Sequence, residues 1–297
     1  MNGLPLFWDI FLTSLVGLFA LVCVFPFVLI VIISLTDEMS LAKNGYRFIP
    51  KQWSFEAYKY VFKGSSALGQ AYSTTIFITV VGTVAALAIM SLYAYALSRK
   101  NFKFRKFFTF FAFFTMLFSG GLVPTYIVVT QLLNLRDSIW ALILPMACNA
   151  WYIMILKTFF KTSVPDAIVE SAKIDGASEV RTFLQIVLPI SLPGIATIAL
   201  FSTLGYWNDW FNALLYIDNA EIIPLQYMLM KIQNSMDFLR GNINAVSSAE
   251  SLKAMQQMPQ ETARMAMVVL ATGPIVLAYP FFQRFFIQGL TIGAVKE

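Results

Sequence analysis

The chain has 297 residues, 58% of them hydrophobic and only 12% charged, with a net charge of +5. Soluble domains carry about a quarter of their residues as charges, so this composition excludes a water-soluble enzyme and describes an integral membrane protein, one bundle of about six spans at this length. The positive surplus is spread over loops and forms no basic stripe, which excludes nucleic acid as a partner; histidine is absent, which removes the commonest metal ligand and proton carrier, so no metal site is expected.

The opening MNGLPLFWDI lacks the basic residues that begin a signal peptide. The uncharged run at 10–35 is too long for one and reads as an uncleaved first span. In the loop 36–71, YRFIPKQWSFEAYKYVF mixes aromatic with basic residues. Two readings fit it: anchoring at the membrane interface, or docking of an external partner such as a delivering binding protein. The second span covers 72–97 and leads into RKNFKFRK at 99–106, five basic residues in eight. That density places the loop in the cytoplasm, and with it both termini and the connection between spans four and five. The third span, 107–133, is interrupted by SGGLVP at 119–124, which either kinks the helix beside a cavity or admits a neighbouring helix at Gly120 and Gly121. The fourth covers 138–160, the fifth 188–217 with Pro189 and Pro193, and the sixth 263–287. In the outer loop 218–262, IIPLQYMLMKIQNSMDFL reads as an amphipathic helix. Cys23 and Cys148 sit in apolar segments and imply neither a disulfide nor zinc. The expected architecture is an all-α membrane protein, residues 1–297 forming a single domain of six transmembrane helices.

Two polar features interrupt the spans. Asn149 suits either a polar pathway or a hydrogen bond between helices. Tyr206, Trp207, Asn208 and Asp209, from YWNDW near the outer end of span five, combine aromatic faces with hydrogen-bonding groups, as a sugar requires. An interfacial aromatic belt with a snorkelling acid fits them equally.

The polar island at 163–188 is the most informative stretch. Ser163 and Asp166 fit a capping box around Pro165, opening a short helix in which Ile168 and Ala172 share a face beside Val169. Glu170, Lys173 and Asp175 point outward. Gly176 ends the helix where a positive φ is favoured, and Ser178 caps a second one. There Val180, Phe183, Leu184 and Val187 make one apolar stripe, until Pro189 turns the chain into the membrane. Helix, glycine elbow and amphipathic helix fit a plain connector; they also fit a rigid knob through which a cytoplasmic partner tilts spans four and five.

The spacing E-S-A-x-x-x-G, nine residues, I-x-L-P resembles the EAA signature of permease subunits in ATP-binding-cassette importers. The matching residues are Glu170, Ser171, Ala172, Gly176, Ile186, Leu188 and Pro189, with Ser171 departing from the usual alanine. FIPKQWSFEAYKYVF, AYALSRK and the ending FFIQGLTIGAVKE are similar to maltose-type carbohydrate permeases, the second-position subunit in particular. The resemblance implies a type I importer transmembrane domain in the bacterial cytoplasmic membrane whose island is a coupling helix. Glu170 would make polar contacts in a cleft of the ATPase. It also implies a second permease as heterodimer partner, two ATP-binding-cassette subunits that carry ATP and Mg²⁺, and an extracytoplasmic sugar-binding protein. The chain lacks G-x-x-x-x-G-K-[ST], so no cofactor is expected on it and hydrolysis falls to a different polypeptide. The competing reading is an ion-coupled secondary transporter; against it stand six spans, no histidine and no inverted repeat. No nucleophile or acid–base cluster supports a membrane enzyme.

Overall fold

The computed structural model describes residues 6–241 and 259–294, which are overwhelmingly helical. In chain order the helices are α1 (Leu6–Ser34), α2 (Glu38–Asn44), α3 (Glu56–Val61), α4 (Ser65–Ser98), α5 (Arg105–Leu117), α6 (Leu122–Ile127), α7 (Trp140–Ile143) and α8 (Ala150–Ser163). They continue with α9 (Asp166–Ile174), α10 (Glu179–Thr182), α11 (Leu188–Ile190), α12 (Leu192–Trp207), α13 (Phe211–Tyr216), α14 (Leu225–Gly241) and α15 (Gln260–Ala294).

Three helical stretches are long and apolar enough to cross a membrane unaided: Ile10–Ser34, Ser66–Ser98 and Gln260–Gln283. Three bent helix pairs are also long and apolar enough to cross when each is taken together, and the bends fall where the sequence interrupts the helix. Arg105–Leu117 meets Leu122–Leu132 at 117° across SGGLVP, where Gly121 takes φ +84, a conformation open to glycine without strain. Trp140–Met146 meets Ala150–Ser163 at 51°, with Pro145 and the helix-capping Asn149 at the junction. Glu179–Ile190 meets Leu192–Trp207 at 83°, with Pro189 and Pro193 flanking the break. With each pair as one crossing the count is six. The fifth apolar segment is not one helix to residue 217: α12 stops at Trp207, and α13 is a separate short helix. The amphipathic stretch within 218–262 is helix α14, while 242–258 of that segment and 295–297 of the C-terminal motif lie outside the described residues.

The contacts gather into two units. In the first, Met1–Ser66 with Leu229–Pro274, α1 is almost bare of intramolecular cover: 6% of its most apolar window is buried, so its Leu, Val and Phe side chains need lipid or another chain around them. The same unit ties α2 to the start of α15. The Glu38 carboxylate accepts from the backbone N–H groups of Glu261 and Thr262 at 3.1 and 3.0 Å and from the Thr262 hydroxyl at 2.7 Å. An acid on the unpaired N–H groups of a helix start is favourable. A cavity of about 490 Å³ opens beside it, with Lys59, Tyr60 and Lys63 on its wall.

In the second unit, Ala67–Met228 with Ile275–Glu297, α12 is pressed between α4 and α8. Two glycines allow it. A Cβ on Gly82 of α4 would lie 2.7 Å from the Tyr206 ring, and one on Gly194 of α12 would lie 2.6 Å from the Phe159 ring. Met90, Leu97, Ile153, Leu156, Phe160 and Ile198 fill the core around this contact. On the loops, Arg136 pairs with Asp218 at 2.7 Å, and Asp137, at φ +57, accepts from the N–H groups of Asp218 and Asn219 at 2.6 and 2.9 Å. Those two bonds hold the Asp137 carboxyl below the usual carboxylate range.

Candidate functional site: the polar elbow between α8 and α12

The elbow is built by local chemistry. α9 closes on Gly176 at φ +78, where the Gly176 N–H donates to Lys173 O at 3.0 Å and the Ala177 N–H to Ala172 O at 2.9 Å. This paired closure satisfies the last carbonyls of the helix and needs a residue tolerant of positive φ. Two residues on, the Ser178 hydroxyl accepts from the Arg181 N–H at 3.3 Å and caps α10. Val169 and Ala172 form the buried face of α9.

Two details differ from the sequence expectation. Ser163 does not cap α9: it is the last residue of α8, and Pro165 holds the cap position with no side-chain bond. The previous helix runs two residues too far for a capping box. The apolar stripe also splits. Phe183 and Val187 are buried, whereas Val180 and Leu184 are exposed, and Ile168 joins the exposed flank of α9. The turn over Phe183–Val187 is a wider π-helix, which rotates later residues away from 3.6-residue phasing.

Tertiary bonds then fix the elbow to the end of α4. Lys100 Nζ lies 2.6 Å from Asp166 Oδ2. Glu179 receives Lys173 Nζ at 2.6 Å on one oxygen and the Tyr95 hydroxyl at 2.7 Å on the other. The Tyr95 ring in turn carries the Arg99 guanidinium 4.9 Å from its centre and packs on Phe183, centroids 5.0 Å apart. The Lys173 and Tyr95 bonds hold the Glu179 carboxyl below the ordinary glutamate range. A depressed carboxyl contributes stability above its unfolded pKa and loses it as pH falls through the folded value, so this anchor weakens in acid. Lys100 likewise holds Asp166 low.

What remains outward is a compact surface. Glu170, Ser171, Lys173, Asp175 and Gly176 are exposed, and Ile174 stands out beside them, 86% exposed. Glu170 lines a shallow cleft of about 70 Å³ with Arg99, Lys100 and Lys173, yet among the described residues it has no ion-pair partner. Ser171 donates to Ile168 O at 3.0 Å, so its hydroxyl is absorbed by the helix. Of the closing motif, Ile186 and Leu188 are half-buried and Pro189 is exposed at the bend. Tyr95, Ile174 and Glu179 belong to this site and escaped the sequence reading. An isoleucine set between Lys173 and Asp175 at an otherwise polar helix end is the one sequence signal that points to Ile174.

The span residues fall into different surroundings. Asn149 caps α8, its side-chain oxygen accepting from Trp151 N–H at 2.9 Å and Tyr152 N–H at 3.3 Å. Tyr206 and Trp207 are buried, and the Tyr206 hydroxyl donates to Ile143 O at 2.9 Å. Asn208 is exposed; it donates to Leu204 O at 2.9 Å and accepts from Gln226 at 3.3 Å. Asp209 is half-buried, accepting from the Asn212 amide side chain at 2.9 Å.

The chain is similar to known proteins along nearly its whole length. The chain is 39% identical over 289 residues to the polygalacturonan/rhamnogalacturonan transport system permease protein YtcP of Bacillus subtilis, covering 97% of this chain and 98% of that one. It is 42% identical over 275 residues to protein LplC of the same organism, covering 93% and 90%. A solved bacterial ABC transporter involved in the import of the acidic polysaccharide alginate contains a chain that superposes with a TM-score of 0.78 at 28% identity, over 96% of this chain and 100% of that one. The family described as the binding-protein-dependent transport system inner membrane component matches residues 89–292, from the last third of α4 through the elbow and into α15. This chain belongs to that family, the membrane-embedded permease components of ATP-binding-cassette importers.

Proposed function

We propose that the chain is one permease half of an ATP-driven oligosaccharide importer in the cytoplasmic membrane, with the elbow as its coupling helix. In this reading the basic loop 99–106, both termini and α9 face the cytoplasm. Glu170, Lys173, Asp175 and Ile174 enter a cleft on one of two ATPase subunits, which hold the ATP and Mg²⁺. A second permease completes the pathway, and an external binding protein hands over the sugar. The names of relatives support the substrate class, and two of them point to acidic glycans: polygalacturonan for one and alginate for the other. Oligogalacturonides are therefore the first substrates to test. Asn208 and Asp209 are the span residues retained for the sugar path, because Tyr206 and Trp207 are committed to packing.

The observation that carries the proposal is an outward carboxylate, without an ion-pair partner among the described residues, on a helix fastened at both ends. A push on α9 is transmitted to α4 through Lys100–Asp166 and Tyr95–Glu179 rather than absorbed by a loose loop. The assembled transporter, reconstituted in vesicles with binding protein, is expected to hydrolyse ATP several-fold faster with oligogalacturonide than without sugar. Uptake is expected to stop when the ATPase is inactivated. Uptake driven by a proton or sodium gradient without ATP would sink the reading and favour a secondary transporter.

The fastening has its own test. Tyr95→Phe removes one bond to Glu179 but keeps the ring on Phe183. It is expected to leave the complex assembled and to raise the ATP consumed per sugar imported about two- to tenfold, in line with the net loss of roughly 1 kcal/mol for one intramolecular hydrogen bond to an exposed, solvent-screened carboxylate. An unchanged ratio would remove the anchor from the mechanism.

A further inference from the structure

A separate charged cavity, of about 340 Å³, lies between the first turns of α5 and the middle of α8. Arg105, Lys106 and Lys157 stand on its wall with Thr109, and no acid lines it. Among the described residues none of the three cations has an ion-pair partner. The one side-chain bond at Lys157 goes to the Thr109 hydroxyl at 3.4 Å, and the charges of Arg105 and Lys161 bear on it as well. Cations collected without a counter-charge repel one another, and an anion placed among them reverses that cost.

The cavity is layered. Arg105 and Lys106 sit at the start of α5, next to the basic loop, and Lys157 faces them from midway along α8. Phe110 and Phe113 line it deeper along α5 and are 65% and 47% exposed. Arg105 and Phe113 are eight residues apart on one helix, a rise of roughly 12 Å, which spans the passage from membrane surface to hydrocarbon. A small inorganic anion would answer the cations and leave the aromatic wall bare. A phosphate ester with acyl chains answers both.

We propose that this cavity binds the headgroup of an anionic phospholipid, such as phosphatidylglycerol, with an acyl chain lying along Phe110 and Phe113. The phosphate sits among Arg105, Lys106 and Lys157, and the Thr109 hydroxyl donates to it. Basic pockets between spans at the cytoplasmic surface are suited to such headgroups. The site is independent of the elbow, and it holds whichever sugar the transporter carries.

The test is native mass spectrometry of the whole assembled transporter, titrated separately with phosphatidylglycerol, phosphatidylcholine and inorganic phosphate. The expected result is preferential retention of phosphatidylglycerol, weakened roughly fivefold by Lys106→Gln or Lys157→Gln singly and about a hundredfold when Arg105→Gln joins both. Lys157→Arg is expected to retain it, which separates charge from folding. A photo-crosslinking residue in place of Phe113 is expected to label lipid. Three results overturn the proposal: equal lipid binding by wild type and triple variant, displacement of the lipid by inorganic phosphate, or a crosslink from position 113 to the second permease subunit instead of lipid.

Discussion

Glu170→Lys is expected to abolish ATP-driven uptake while leaving the chain folded and in the membrane. The carboxylate is exposed on α9, and its removal breaks no ion pair among the described residues. α9 is held from elsewhere, by Lys100–Asp166, by Lys173–Glu179 and by the closure at Gly176, so its shape survives the change. The loss falls on the interface. Truncating one member of a hydrogen-bonded charge pair at an interface costs about 2–5 kcal/mol, and placing a like charge there costs more. At 1.4 kcal/mol per decade this is roughly a thirty- to several-thousandfold weaker ATPase association. Co-purification of the ATPase and sugar-stimulated hydrolysis report the two halves of the effect. Glu170→Gln is expected to fall between wild type and reversal. If Glu170→Lys keeps both association and transport, α9 is a plain connector.

Gly82→Ala is expected to destabilise the second unit more than Gly194→Ala does, although both add one methyl group to a helix. A Cβ on either glycine would come within 3 Å of an aromatic ring, closer than packed atoms tolerate, and overpacking of this kind costs about 1–3 kcal/mol. Alanine returns up to about 1 kcal/mol of helix propensity at each site. What separates them is whether the ring can yield. Phe159 is half-buried and can swing outward, so the two terms nearly cancel at Gly194. Tyr206 is 3% exposed and pinned by its hydroxyl on Ile143 O, so the clash at Gly82 stays. Thermal unfolding in detergent should show a clear drop for Gly82→Ala and a small change for Gly194→Ala. Adding Tyr206→Leu should recover part of the Gly82→Ala loss as a measurable coupling between the two positions. Equal effects at the two glycines would show that ring mobility does not decide the outcome.

These two predictions sit on different parts of the sequence reading. Glu170 was visible because the elbow is made of nearest-neighbour chemistry. A serine cap at 178 and a glycine at 176 act over four to six residues, and their spacing survives in any surroundings. Gly82 and Gly194 carried no such mark, since a glycine in an apolar run looks the same whether it faces lipid or a tyrosine from another span. By sequence Tyr206 and Trp207 suit a sugar path, because aromatic and amide residues share that stretch. The burial of Tyr206 comes from α4 and α7, which local sequence does not represent.

Composition and run length alone determined the membrane class, because a bilayer demands about twenty apolar residues per span wherever they occur. The punctuation of the elbow was equally local. Only the tertiary structure decided where Ser163 ends up, which half of the Val180–Val187 stripe is buried, and that Tyr95 holds Glu179 across 84 residues of chain. Such a bond leaves no periodicity in either segment, because it exists only once two spans have packed side by side.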